Sequence, residues 1–220
     1  MNLHLTRSNT RSNEPPPPPP IDIVLASQSV VRKMLLEKLG LRFRVVHTRL
    51  DEDAITAADP LATIKKRAAA KSEEVSRHPR VYTLSDEHRS LVIAADSMAI
   101  IGKKTFGKAR DRDDARAILK TLMGRTHVLA TAVVVCYYEG HVIKQKWEKA
   151  VQTKVTLGKL TPIELDSYVA RYDFTRFAAG YALNETPWNL IAKIDGSYTN
   201  VIGLPFEFLL PILRKLEIIL

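Results

Sequence analysis

A carboxylate set in an apolar run is the residue of greatest chemical interest. Residues 91–97 read LVIAADS, and Asp96 is the only charged residue among them. This composition predicts a strand buried on both faces, with Asp96 near its end. A buried carboxylate stays ionised only beside a cation, a metal ion or strong hydrogen-bond donors. Asp96 is therefore a candidate for a structural salt bridge or for catalysis at a metal-assisted site.

Three basic residues stand at places that suit phosphate binding. Arg32 is in the first turn of a predicted helix, Lys71 lies among the apolar residues of another, and Lys108 follows a glycine. The helix dipole disfavours a cation in a first turn, unless an anion binds the free N–H groups there. Together with Asp96, the three cations indicate a site for a polyphosphate and a metal. The alternatives are a solvated surface charge at Arg32 and a snorkelling lysine at Lys71.

Two further segments carry candidate ligands. Residues 51–53 read DED, and carboxylates in a loop suit a divalent metal, although such loops are commonly just solvated. Residues 102–109 read GKKTFGKA, which is close to a P-loop but lacks the Ser or Thr that would hold Mg²⁺. Lys108 is therefore interpreted as an isolated phosphate-binding lysine.

The elements that must position these residues alternate between strands and helices. Apolar periodicity, caps and turn residues predict strands at 21–26, 43–47, 91–97, 126–138, 141–147 and 188–194, a hairpin over 98–106, a turn at 195–196, and helices at 30–39, 60–76, 111–123, 161–171 and from 205. Because hairpins interrupt the alternation, the sheet is predicted to be mixed. Residues 21–220 form one α/β domain in this interpretation.

Composition narrows the class of protein. The chain has 220 residues and a net charge of +9, which favours anionic partners. Aromatic residues make up 7%, and no zinc-finger, helix-turn-helix or RNP-like motif is present, so we do not expect a nucleic-acid-binding protein. No stretch reaches the ~20 apolar residues of a membrane span. The single Cys136 is predicted to be buried and inert, which fits a reducing compartment and a cytoplasmic location.

Residues 1–20 differ from the rest. They end in six consecutive prolines, which favour a stiff polyproline II segment, and the preceding residues are mostly polar. Such a segment cannot join a core, so a disordered extension is predicted. Organellar import directed by this extension is a minor alternative.

Several segments resemble, in order and spacing, the Maf family of nucleotide pyrophosphatases. They are LASQSVVRKMLLEKLG, DED, AADS with GKA, LMGRTHVLATAVVV and GSYTNVIGLP, and the resemblance covers about residues 21–216. It implies an elongated mixed β-sheet flanked by helices, with two lobes and a cleft between them. It also implies metal-dependent hydrolysis of nucleoside triphosphates between the α and β phosphates, giving a monophosphate and pyrophosphate. Relatives often dimerise, so a homodimer is one candidate assembly.

The resemblance also implies residue roles. Asp96 matches the general base and a metal ligand, and Glu52 matches an acidic residue that helps to hold Mg²⁺ or Mn²⁺. The positions that match phosphate-binding residues are Ser29, Arg32, Lys71 and Lys108.

Three positions where the chain departs from the family pattern bear on base specificity. Val31 stands where a base-selecting residue is expected, although it could equally be core, Ser97 replaces a Thr, and Asn184 stands where Gln or Glu is usual. We expect dTTP, UTP or a modified nucleotide as substrate. The alternatives are a purine-directed pyrophosphatase of the ITP/XTP or 7-methyl-GTP type, and a non-catalytic basic nucleic-acid-binding protein.

Overall fold

A mixed sheet of seven strands forms the centre of the computed structural model, which describes residues 20–183 and 190–220. In these residues the strands are β1 (Asp22–Ala26), β2 (Arg44–Val46), β3 (Arg89–Ile101), β4 (Lys104–Phe106), β5 (Thr126–Glu139), β6 (Val142–Leu157) and β7 (Ile191–Asp195). The helices are α1 (Val30–Lys38), α2 (Pro60–Arg77), α3 (Arg112–Leu122), α4 (Pro162–Arg171), α5 (Tyr198–Ile202) and α6 (Phe206–Lys215), with a 3₁₀ turn at Phe174–Arg176.

The sheet contains both strand directions, as the sequence predicts. The strand order is β2-β1-β3-β5-β6-β7, with β4 paired to β3. Strand β1 runs parallel to β2 and β3, whereas β3, β5, β6 and β7 pair antiparallel in succession. The central strand β3 therefore joins a parallel part of the sheet to an antiparallel part.

Three helices begin at the caps that the sequence indicates. The Asp59 side chain accepts a hydrogen bond from the Ala62 backbone N–H at the start of α2. The Asp111 side chain likewise accepts from the Asp114 backbone N–H at the start of α3. Thr161 and Glu164 form both hydrogen bonds of a capping box at α4. Within the described part of the chain, no helix is long and apolar enough to cross a bilayer.

Alternation along β3 sends its side chains to two different layers. Leu91, Ile93 and Ala95 pack in one apolar cluster with α1 and α6, while Val92 and Ala94 pack in another against α2. A third cluster, built on α3 and α4, packs around the far ends of β5 and β6. By this alternation Asp96 belongs to the α2 face and Ser97 to the α1 face.

Several boundaries differ from the prediction. Strand β3 continues to Ile101, so Asp96 lies within the strand and not near its end, because pairing with β5 extends through Ile100. Strand β6 continues to Leu157, ten residues beyond the predicted end, because its pairing with β5 extends through Thr156. Asp195 belongs to β7 and not to a turn, and the short helix α5 was not predicted. Trp188, the predicted start of β7, lies outside the described residues, as do residues 1–19.

Cys136 and His127 are both buried within β5. Cys136 is 1% exposed, as predicted, and burial raises the pKa of its thiol. His127 is 2% exposed, and its Nε2 lies 2.8 Å from the Tyr181 hydroxyl. Burial lowers the pKa of His127 from 6.5 to about 4. His127 is therefore neutral in the folded protein, and its protonation opposes folding.

We expect His127 to make folding stability depend on pH. Its folded-state pKa is depressed, so the unfolded chain binds more protons between about pH 4 and 6.5, and stability falls as the pH falls through that window. Between about pH 8 and pH 5, this residue alone lowers the free energy of unfolding by about 2 kcal/mol. Urea denaturation of the wild type and of His127→Gln measures it. Equal pH dependence in the two proteins would contradict the assignment.

Candidate active site

A cleft of about 870 Å³ lies between the sheet with α1 and α2 on one side and the α3 lobe on the other. Every predicted site residue that the structure describes lines it, namely Ser29, Val31, Arg32, Glu52, Lys71, Asp96, Ser97 and Lys108. Asn184 lies outside the described residues. Residues from five separate parts of the chain therefore meet in one cavity.

Lys71 is the centre of the charged part of the cleft. It projects from α2 toward β3 and is only 3% exposed. Its Nζ lies 2.5 Å from Glu52 Oε2 and 3.3 Å from Asp96 Oδ1, and it donates to the Ala95 carbonyl at 3.1 Å. The snorkelling alternative is therefore wrong, because the ammonium is buried and paired with two carboxylates.

Arg32 is buried on the other side of the same carbonyl. Its Nη1 donates to Ala95 O at 3.0 Å, and its Nε donates to Gly203 O at 2.9 Å. Burial lowers the pKa of Arg32, while the charges of Asp96 and Glu52 oppose that change. The surface-charge alternative is therefore wrong for Arg32, whereas the neighbouring Lys33 is exposed and pairs with Glu37.

Lys108, in the segment after β4, is the third predicted cation that lines the cleft. Desolvation lowers its pKa most, Arg32 and Lys71 lower it further, and Glu52 and Asp96 raise it. Lys108 is thus close enough to the other four charges for each of them to shift its pKa. The Lys108 backbone is held by a bridge to Ala178, and the neighbouring Gly107 carbonyl accepts from the Ala179 N–H at 2.8 Å.

The remaining predicted residues also line the cleft. Ser29 is the N-cap of α1 and makes no side-chain cap hydrogen bond there. Val31 packs against two of the apolar clusters and also lines the cleft, so the core and cleft interpretations both apply to it. The Ser97 hydroxyl lies between Arg32 Nη2 at 2.7 Å and Thr131 Oγ1 at 2.9 Å.

The acidic loop contacts α2 through Glu52 and Asp53, but Asp51 and Asp53 are exposed to solvent, so the solvated interpretation is correct for those two residues. Asp51 Oδ1 accepts from the backbone N–H groups of Asp53 and Ala54, and the Asp53 carboxylate lies 3.6 Å from Arg67. Glu52 is the residue of this loop that reaches Lys71.

The residues present fit a divalent cation of the Mg²⁺ type. No group of three or more His, Cys, Asp or Glu side chains forms a metal site within residues 20–183 and 190–220. Mg²⁺ bound with a nucleotide needs only one or two protein carboxylates, because phosphates and water supply the other ligands. Asp96 and Glu52 share one ammonium, and Asp96 Oδ2 is a buried acceptor with no hydrogen-bond partner in the described structure. A cation would satisfy that acceptor.

Sequence reasoning missed several residues of this site. Gly203 supplies a carbonyl to Arg32, Thr131 contacts Ser97, and Arg67 holds the acidic loop. Gly203 lies in the GSYTNVIGLP segment, which signalled its importance without indicating its role. Thr131 lies in a strand rich in β-branched residues, and the sequence around it gave no sign of a role in the site.

The fold and the cleft define an α/β protein whose cleft brings together three cations and two carboxylates. A family model described as "Maf-like protein" matches residues 22–216, and the chain therefore belongs to the Maf family.

Curated relatives agree with this placement. The chain is 34% identical over 209 residues to a dTTP/UTP pyrophosphatase of Agathobacter rectalis, which covers 89% of this chain and 98% of the relative. It is 32% identical over 186 residues to a dTTP/UTP pyrophosphatase of Chelativorans sp., covering 84% and 86% of the two chains. A solved HAM1 protein from Coxiella burnetii aligns at 13% identity over 62% of this chain and 73% of that one. Its TM-score of 0.38 is too low to support an argument.

We expect loss of Lys71 to destabilise the fold. Lys71→Met leaves Asp96 without its cation, which lowers the free energy of unfolding by about 3 kcal/mol. The double variant Lys71→Met/Asp96→Asn should recover part of that loss, because the uncompensated charge is gone. Chemical denaturation of the two single variants and the double variant measures the coupling. Strictly additive losses would show that the pair does not interact as the geometry indicates.

Proposed function

We propose that this protein hydrolyses nucleoside triphosphates between the α and β phosphates, releasing a nucleoside monophosphate and pyrophosphate. One observation carries the proposal: two buried cations converge on the Ala95 carbonyl beside the Asp96 carboxylate, in a cleft that Lys108 also lines. The names of the relatives support dTTP and UTP as substrates.

The cations would bind the phosphates. Arg32, Lys71 and Lys108 outnumber the two carboxylates of the charged group, so the site carries excess positive charge before a ligand binds. Desolvation is the main cause of the lowered pKa of Lys108, and the charge of Arg32 lowers it further. A triphosphate would neutralise the excess positive charge, and a leaving pyrophosphate would be stabilised by the same residues.

Asp96 is positioned to act as the general base. Lys71 orients the carboxylate through Oδ1, and the carboxylate would accept the proton of an attacking water. The water oxygen bonds to the α-phosphorus, the bond from that phosphorus to the α–β bridging oxygen breaks, and pyrophosphate leaves with the bridging oxygen. The proton on Asp96 then passes to solvent.

A divalent metal would be held by Asp96 and Glu52 together with the phosphates. When bound, Mg²⁺ or Mn²⁺ supplies Lewis-acid polarisation of the phosphate oxygens. Lys71, which touches both carboxylates, keeps them oriented toward the same point of the cleft.

The nucleobase would meet the part of the cleft that is mainly apolar. That part of the cleft is lined by Val31, Ile118, Phe177, Tyr181 and Leu183. Asn184 directly follows this lining in the sequence, and we retain it with Val31 and Ser97 as candidates for base selection. A homodimer and a cytoplasmic location stay predictions from the sequence.

We expect Asp96→Asn to remove nearly all turnover. Loss of the general base should lower kcat by roughly 10²–10⁴-fold. The matched control is Asp166→Asn, which removes an exposed carboxylate that pairs with Arg116 outside the cleft. Steady-state release of pyrophosphate from dTTP and UTP measures both, with circular dichroism to verify folding. Near wild-type rates in Asp96→Asn would exclude this mechanism.

We expect a panel of canonical and modified nucleoside triphosphates to give monophosphate and pyrophosphate in equal amounts when Mg²⁺ or Mn²⁺ is present. EDTA should abolish the release, because the two carboxylates and three cations of the site cannot supply the Lewis-acid polarisation that the metal provides. A preference for pyrimidine nucleotides would agree with the names of the relatives. A preference for ITP, XTP or 7-methyl-GTP would support the purine-directed alternative. Release of single phosphates, or salt-sensitive oligonucleotide binding without turnover, would contradict the proposal.

A further inference from the structure

Arg32 has almost no hydrogen-bonding capacity left for a ligand. A guanidinium carries five N–H donors. Its Nε donates to Gly203 O, Nη1 donates to both Ser27 Oγ and Ala95 O, and Nη2 donates to Ser97 Oγ. Among the partners that the described residues provide, these four bonds leave one N–H, on Nη2. The orientation of Nη2 thus decides whether that last donor reaches a phosphate.

The Ser97 hydroxyl that holds Nη2 has a defined direction. Thr131, opposite Ser97 in the β3–β5 register, donates its only hydroxyl proton to the Asn200 carbonyl at 3.1 Å. Its oxygen can then only accept in the 2.9 Å contact with Ser97. Ser97 must therefore donate to Thr131, and its lone pairs face Arg32. The hydroxyls form a one-way relay from Arg32 through Ser97 and Thr131 to Asn200.

The end of this relay is rigidly held. Asn200 is fully buried, and its Nδ2 donates to Leu129 O at 3.1 Å and to Thr153 Oγ1 at 3.0 Å. In α5 the N–H of Leu204, which would normally bond to the Asn200 carbonyl, bonds to Thr199 O. The Asn200 carbonyl is thereby available to Thr131.

We propose that Thr131 is a positioning residue for Arg32, acting through Ser97, and that it directs the remaining Nη2 proton toward the phosphates. This inference rests on the proposed function for its ligand. Without the Thr131 hydroxyl, the Ser97 proton loses its acceptor and can turn toward Nη2, where a donor would face a donor.

The test compares Thr131→Val, which keeps the shape and removes the hydroxyl, with Thr131→Ser, which keeps the hydroxyl. Thr131→Val should weaken binding of inorganic pyrophosphate, measured by calorimetry, and raise KM for the triphosphate by about tenfold with a smaller change in kcat. Thr131→Ser should stay within about twofold of wild type. A merely structural defect would lower the active fraction, and hence kcat, without changing KM.

Two further variants make the test specific. Ser76→Ala removes a hydroxyl that contacts Tyr138 away from the cleft and should leave both parameters unchanged. In an Arg32→Met background, Thr131→Val should have no further effect, because its action passes through Arg32. If Arg32→Met does not fold, the comparison of valine with serine at position 131 still decides the question.

The outcomes separate this inference from the proposed function. Wild-type pyrophosphate binding in Thr131→Val, or an equal defect in Thr131→Ser, would overturn the relay while leaving the hydrolase intact. A wild type that binds pyrophosphate without hydrolysing any triphosphate would overturn the function, and the binding data would still test the relay. A wild type that does neither would overturn both.

Discussion

The ion pair between Lys71 and its two carboxylates is the constraint on which the cleft depends. A buried ammonium is tolerated only with charged or strongly polar partners, because desolvation costs several kcal/mol per ion. Lys71 meets that condition by contacting Glu52 from the acidic loop, Asp96 from β3 and the Ala95 carbonyl. The loop, helix α2 and the central strand are thereby held in one arrangement. The same contacts allow Asp96 to lie inside a strand that is otherwise apolar.

Arg32 extends this arrangement to the C-terminal part of the chain. Its guanidinium joins the start of α1, the centre of β3 and the loop after α5. Gly203 has φ +128°, a conformation that L side chains rarely adopt, and a Cβ there would come within 3.4 Å of Arg32 Nε. A glycine is therefore required where the chain passes the guanidinium. Arg32 and Lys71 both donate to the Ala95 carbonyl, so both side chains are already ordered in the cleft.

The cleft exists because the sheet carries separate apolar clusters. Those on the two faces around β1 and β3 seat α1, α2 and α6, whereas the third cluster seats α3 and α4 at the other end of β5 and β6. Strand β3 runs from one region to the other. On its α1 face, Ser97 lies between Ala95, which packs with α1 and α6, and Ala99, which packs in the cluster of α3 and α4.

The sequence by itself determined the local structure and most of the candidate site. Caps at Asp59, Asp111 and Thr161, and the apolar run before Asp96, predicted the elements correctly, since these signals act over a few residues. The tertiary structure alone decided which charges pair, how far β3 and β6 extend, and that Thr131 and Gly203 serve Arg32. These features join residues up to 171 positions apart. No local pattern encodes such pairings, because their energies arise only when packing brings desolvated groups together.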